Sequence, residues 1–431
     1  MDLLQQLQDR ADQAEVVTIQ RETTSVEFEA GRFKTSKVEE TSGTAVRAVC
    51  GGRLGFSASS DERALDRLLA NVLESAAFGD EVPIAFPAAL PGPQVTTFDP
   101  AIAALPVDRL VEMGREMVDV IRAVEPDAQV NVSLERSVQQ TTIRNQAGAD
   151  ASFRRSPLSF VVDVARVHGD DILLLYEMAG TTVWHDDYLA EVRRLAETLR
   201  QARTLTTLRS GRMPVLLAPT AAVVLGLPLM EGINGKNVFT GISPLAGKVG
   251  ETLFDAKISV VDDGTLDGRL GSAPYDDEGV PHRRNVLVDR GVLRGFIYDC
   301  RTAAQSGTTS TGNGARDLFR PPEPAPTNLL LPSGETPVAE MIAGIDEGLL
   351  VNEVLGLGQG NIISGAFSNP VSLAFKIEGG QIVGRVKDVS IAGNVYELLR
   401  DVAAVSRETQ WVYNVLGLPY VLLPDMNVVA G

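Results

Sequence analysis

At 431 residues the chain is too long for one ordinary core and predicts two or three domains. Its 44% hydrophobic and 22% charged residues are those of a soluble globular protein. A net charge of −17, with no basic run or basic–aromatic alternation to offset it, argues against a phosphate-neutralising surface, so nucleic-acid binding is not expected.

The opening "MDLLQQLQDRADQAEVV" has no basic stretch leading into an apolar one, so no secretion signal is expected. Leu3, Leu4, Leu7 and Ala11 fall at helical spacing and predict a helix over 2–14. Strand-like runs follow, with a hairpin turn at Ala30–Gly31 and another at Gly51–Gly52. "SDERALDRLLANVLESAAF" then predicts a capped helix with Leu65, Leu68, Leu69 and Val72 on one stripe. These elements make a first α+β subdomain, 1–80. Residues 81–100, with Pro83, Pro87, Pro91, Pro93 and Pro100, read as a linker.

The order then recurs at an offset of about a hundred residues. A helix at 107–123 precedes hairpin-linked strand runs, and "DYLAEVRRLAETLRQART" closes a second α+β subdomain, 101–208. Hairpin linkage favours an α+β class with antiparallel sheets over a doubly wound sheet. From 209 to 431 the texture is short strands and Gly-rich turns, a β-rich C-terminal domain. Asp289–Gly291 and Gly379–Gly380 read as hairpin turns. Beyond its opening segment the domain shows one helix, "TPVAEMIAGIDEGLLV". Apolar runs are everywhere broken short of a membrane span.

Candidate chemistry is sparse. Cys50 and Cys300 lie far apart and are expected to be reduced, buried thiols. His168, His185 and His282 are never paired at helical spacing, and a catalytic zinc needs about three protein ligands. The carboxylates Asp262, Asp263, Asp267, Asp276, Asp277 and Glu278 do not match a calcium loop and read as hairpin tips. "STGNGAR" and "GLGQGN" do not lead from strand to helix, so they are not phosphate cradles; such loops let another backbone approach closely.

The C-terminal blocks "DDGTLDGRLGSAPYDDEGVPHRRNVLVDRGVLRGFIYD", "STGNGARD", "GLGQGNIISGAFSNPVSLAFKIEGGQIVGRVKDVSIAGN" and "PDMNVVAG", in this order, resemble the TldD/PmbA family. Its members were once described as modulators of DNA gyrase and are now regarded as peptidase subunits. The resemblance covers 210–431; segments 25–75 and 130–205 agree with it in pattern and length only. The TldD kind of subunit carries an H-E-x-x-x-H helix and a cysteine near the C-terminus, which hold a zinc ion. The PmbA kind, also called TldE, lacks these ligands and pairs with TldD as a heterodimer.

In "LPLMEGINGKNV" the family's glutamate falls on Glu231, and its histidine positions on Met230 and Gly235. The C-terminal "WVYNVLGLPYVLLPDM" supplies no cysteine. Ala392–Gly393–Asn394 is similar to the TldE kind, whereas "DDEGVPHRR" and "STGNGAR" are closer to the TldD kind. The resemblance implies a vestigial helix end with no metal or cofactor, in a non-catalytic subunit of a cytoplasmic peptidase complex. The implied partners are a TldD-like catalytic paralogue, a second copy when the chain is alone, and an extended peptide, but neither nucleic acid nor membrane. Strand-edge recognition makes Gly312, Asn313, Gly314, Gly358, Gly360 and Asn361 the candidate peptide contacts. An autonomous peptidase built on the 262–278 carboxylates with His282, and a regulatory protein acting on gyrase, are the alternatives.

Overall fold

The computed structural model describes residues 3–359 and 361–431, so the candidate Gly360 lies outside the described residues. The chain runs α1 (Leu3–Leu7), β1 (Gln13–Glu29), β2 (Arg32–Cys50), β3 (Arg53–Ser59), α2 (Leu65–Ala77), α3 (Pro100–Ala103) and α4 (Val107–Val124). It continues through β4 (Gln129–Asn145), β5 (Asp150–Arg155), β6 (Leu158–His168), β7 (Asp171–Thr181) and α5 (Ala190–Gln201). The fold is α+β. The opening helix is one short turn rather than the expected 2–14 span, because the chain from Gln13 is recruited into β1.

The two N-terminal repeats share one sheet instead of forming separate ones. β1 and β4 pair antiparallel from Glu15↔Asn145 to Phe28↔Val132, giving seven strands in the order β3-β2-β1-β4-β6-β7, with β5 on β4. Two separate sheets would leave both long strands with an unpaired edge of N–H and C=O groups. α4 buries Leu110, Met113, Met117 and Ile121, and α5 buries Val192, Leu195 and Leu199, in one core with Val130, Val132 and Val162 of the sheet. That core continues into Leu350, Leu373 and Phe375 of the C-terminal half. β3 pairs only with Thr44–Cys50, so Arg32–Gly43 of β2 has no outer strand partner among the described residues.

Residues 81–99 contain neither helix nor ladder strand, yet they are not a free linker. Val82, Ile84 and Phe86 are buried with Cys300. Asn145 Nδ2 donates to the Pro87 carbonyl at 2.8 Å, the Gly92 N–H to Tyr275 Oη at 2.8 Å, and the Thr96 N–H to Asp267 at 2.6 Å. The segment therefore laces the N-terminal sheet to the C-terminal domain.

That domain comprises β8 (Gly211–Leu217), α6 (Pro219–Gly232), α7 (Gly235–Phe239), β9 (Val260–Asp263), β10 (Arg284–Asp289), β11 (Val292–Leu293), α8 (Cys300–Gln305), β12 (Gly314–Ala315), β13 (Glu323–Pro324) and β14 (Leu329–Leu330). It ends with α9 (Val338–Ala343), β15 (Glu347–Val354), β16 (Ala366–Glu378), β17 (Gln381–Val386), β18 (Val389–Asn394), α10 (Val395–Leu398), β19 (Ala404–Val412) and β20 (Leu416–Ala430). The pairings β20-β18-β16-β15-β8, closed by β8 on β20, form a ring within an eleven-stranded sheet. α6 packs against it with Ala221, Val223, Leu225 and Leu229 all buried, as a helix apolar on every side must. The helix expected over 336–351 stops at Ala343. Its second half is β15, where Leu349 and Val351 are fully buried between β8 and β16. Among the described residues no helix is long and apolar enough to cross a membrane.

Candidate functional site

α6 starts at Pro219, whose missing N–H costs nothing in the first turn, and carries Pro228 in its interior. Pro228 has no N–H to donate along the helix; its own carbonyl accepts the Tyr396 hydroxyl at 2.8 Å. Burial pushes the Tyr396 phenol up, and the nearby Glu231 charge adds to the effect. Glu231 is exposed in the last turn of the helix. Asn237 Nδ2 donates both to its carboxylate, at 2.8 Å, and to its backbone carbonyl, at 2.9 Å. Met230 turns inward and packs against the C-terminal core.

Gly235, three residues beyond α6, opens α7. Its N–H donates to the Ile297 carbonyl at 2.8 Å. A Cβ placed there would stand 2.5 Å from that carbonyl oxygen and from Tyr298 Cε1. No histidine fits this position on the present backbone. The donor set is thus one inward thioether, one carboxylate already hydrogen-bonded, and a glycine, which does not fit a zinc ion. Among the described residues no group of three His, Cys, Asp or Glu side chains is arranged to hold a metal.

The acidic run is not a set of hairpin tips. Asp262, Asp263, Asp276 and Glu278 are buried, and His282 is 9% exposed. Asp276 accepts the N–H groups of Glu278, Val280 and Gly314, each at 2.9 Å. Burial, with the Glu278 charge beside it, holds the Asp276 carboxyl well above the usual range. Asp262 accepts from Asn313 Nδ2 and the Thr327 N–H, both at 2.6 Å; burial pushes it up to about 6 despite these bonds. Burial also lowers His282 to about 4. These carboxylates tie together backbone and side-chain donors of the fold.

Their anchor escaped the sequence reading. Arg47 on β2 clasps Glu15 of β1 with two bonds of 2.9 and 2.6 Å and reaches Glu278 at 2.6 Å; Arg316 adds a 2.6 Å bond to Glu15. Burial alone would raise Glu15, but the charges of Arg316 and Arg47 outweigh it and lower the carboxyl. A single charge inside each apolar run, "QAEVV" and "AVRAV", was the available signal.

The two Gly-rich blocks part company. Gly312–Gly314 is interior: Asn313 is 1% exposed and donates to Asp262 and the Ala325 carbonyl, so it cannot meet a peptide. Gly358 and Asn361 instead line a groove of about 470 Å³ beside α6, with Val224, Leu227, Pro228 and Phe367. β16 flanks this groove. Its Ala366–Pro370 stretch pairs with β18 on one side, whereas β15 covers β16 only from Val371 onward. On that side the Pro370 carbonyl accepts the Leu355 N–H at 2.8 Å, and Ala366–Asn369, beside Gly356–Gln359 and Asn361 of the groove, has no strand partner among the described residues. His168 and His185 are exposed, Cys300 is buried, and Cys50 is half-buried; both thiols are free.

Comparisons with known proteins agree with this architecture. The family model of the PmbA/TldA metallopeptidase C-terminal domain matches residues 210–430, and that of metallopeptidase domain 1 matches 14–76. A Haemophilus influenzae metalloprotease TldD homolog is 34% identical over 203 residues, 47% of this chain and 42% of that protein. The match thus spans less than half of that relative's length. A Methanothermobacter thermautotrophicus metalloprotease is 25% identical across 94% of this chain and 90% of its own. The crystal structure of TldE from Thermococcus kodakarensis superposes with a TM-score of 0.91 over 100% of this chain and 99% of that one, at 24% identity. A Thermotoga maritima protein described as a modulator of a DNA gyrase gives 0.89 at 23% identity, covering 99% and 98%. With the C-terminal domain matched throughout and the first domain matched ahead of it, the chain belongs to the TldD/PmbA family.

Proposed function

We propose that this chain is the subunit without metal ligands in a cytoplasmic TldD/TldE-type peptidase complex, holding peptide that a catalytic paralogue cleaves. The observation that carries the reading is Gly235, where the approach of Ile297 and Tyr298 leaves no room for a ligand side chain. A general-base glutamate acts on metal-bound water, and Glu231 has no ligand set beside it to supply that water. The open edge of β16 at the groove supports extended-peptide recognition, in which main-chain hydrogen bonds carry affinity and tolerate many side chains. Gly358 and Asn361 border that edge; Gly312, Asn313 and Gly314 are left out of it. In the absence of the paralogue, two copies associate through the surface that normally meets it.

The test is to express this chain alone, a TldD-like subunit alone, and both together, and to assay each on an unstructured peptide with and without chelator. Activity that is greatest in the mixture and depends on the partner's histidines supports the reading. Chelator-sensitive cleavage by this chain alone overturns it.

A further inference from the structure

A second cavity lies where the end of β7 meets the C-terminal domain, and it shares no lining residue with the groove beside α6. Its volume is about 240 Å³, below the roughly 300 Å³ at which pockets begin to suit drug-sized ligands. Phe160 and Met178 of the N-terminal sheet give it an apolar floor, Trp184 and Tyr188 one wall, and Trp411 with Arg269 the other. The far wall is rigidly set: Tyr413 and Asn414 both hold positive φ, and the Tyr413 hydroxyl meets that of Tyr176 at 2.6 Å.

The charges around the cavity are unequally satisfied. Asp187 is paired with Arg193, Glu191 with Arg194, and Asp267 accepts the Thr96 N–H. Arg269 stacks over Trp411, 4.1 Å from the ring centroid, and among the described residues its guanidinium has no hydrogen-bond or ion-pair partner. Burial lowers its guanidinium, and the charge of Glu191 offsets this only in part. A half-buried guanidinium presents a planar fork of donors suited to a carboxylate. The rim carboxylates oppose a ligand of higher negative charge, and the volume admits a single side chain.

We propose that this cavity binds a monocarboxylate bearing one apolar side chain, with Arg269 taking the carboxylate and Phe160, Trp184 and Trp411 enclosing the side chain. A peptide C-terminus, an N-acylated amino acid and a free amino acid share this chemistry. The site does not rest on the partner-subunit reading, because it lies outside α6 and its groove.

The chain's two tryptophans, Trp184 and Trp411, both line the cavity, so tryptophan emission, excited selectively over tyrosine, reports on this place. The purified full chain is titrated with N-acetyl-leucine, N-acetyl-leucine amide, leucine, and a hexapeptide ending in leucine. A saturable response to N-acetyl-leucine or the hexapeptide, at least about tenfold stronger than to the amide, is expected for a charge-assisted contact. Arg269→Gln should weaken binding at least about tenfold, and Arg269→Lys, which keeps the charge without the fork, by less. Comparable affinity for free leucine would assign the source to amino acids, and a hexapeptide preference to peptide ends; either supports the site. The proposal is overturned if the amide matches the acid, if Arg269→Gln leaves binding unchanged in a folded protein, or if no carboxylate gives a saturable response. The acid–amide comparison on the unmodified chain decides the matter should Arg269→Gln not fold.

Discussion

Placing a side chain at Gly235 tests whether its role as an emptied ligand position is built into the backbone. A Cβ would sit 2.5 Å from the Ile297 carbonyl oxygen, about 0.9 Å inside the 3.4 Å where ordinary contact begins. The oxygen cannot simply retreat. Ile297 is fully buried, its N–H donates to the Ile233 carbonyl at 3.0 Å, and its own carbonyl accepts the Gly235 N–H. Tyr298, the other obstacle, is tied through its N–H to Thr311 Oγ1 at 2.7 Å and packs edge-on against Phe296. Overpacking of this kind costs about 1–3 kcal/mol, and the reduced freedom of the unfolded Ala variant returns about 0.4–1 kcal/mol. Gly235→Ala should therefore be destabilised by about 1–2 kcal/mol in equilibrium urea unfolding, with an unchanged m-value. Met230→His with Gly235→His should be at least as unstable and hold no stoichiometric zinc by elemental analysis. A Gly235→Ala variant as stable as the parent, or a double variant that binds zinc at full stability, would refute the steric argument.

Arg47→Met leaves Glu278 buried without its cation and Glu15 with Arg316 alone, so a loss of about 3–5 kcal/mol is expected in denaturant melts. Glu231→Gln keeps an acceptor for Asn237 on an exposed helix end and should change stability by less than about 0.5 kcal/mol. Burial, with Glu177 nearby, pushes Glu353 from 4.5 up to about 7. Its folded form thus binds a proton more tightly than the unfolded chain, and its contribution to stability falls as pH rises from about 4.5 to 7. Glu353→Gln should accordingly melt higher than the parent at pH 8, with the gap closing towards pH 5; a gap that widens in acid would contradict the assignment.

The elements that could be read from sequence are those whose cause is local. α2 and α4 announce themselves through one apolar stripe each, and the turns at Gly31, Gly51–Gly52 and Gly379–Gly380 through glycines that accept positive φ. That Met230 and Gly235 stand where the resemblance puts the family's histidines is likewise read from the sequence. Pairing over distance was not legible. Nothing in the run around Glu15 indicates that it will lie beside Asn145 rather than at the rim of its own sheet. For the same reason the 312–314 block reads as a surface loop, although Gly314 must come close enough to donate to Asp276. Glycine permits close approach, but the sequence does not say whether the visitor is a ligand or the chain itself.

The unpaired stretch of β2 has a consequence for how the protein survives in concentrated solution. Between Arg32 and Thr41 an exposed edge of ten residues offers the pattern that another chain needs to add a strand. Lys34, Lys37, Glu39 and Glu40 stand along it, all exposed, and Lys34 and Lys37 are engaged by Glu29 and Glu39 on the same arm. Adding a strand here would require desolvating these charges and disturbing their ion pairs, which weighs against edge-to-edge stacking of copies. The same charges are screened by salt, which makes high ionic strength the condition under which sticking at this edge should first show.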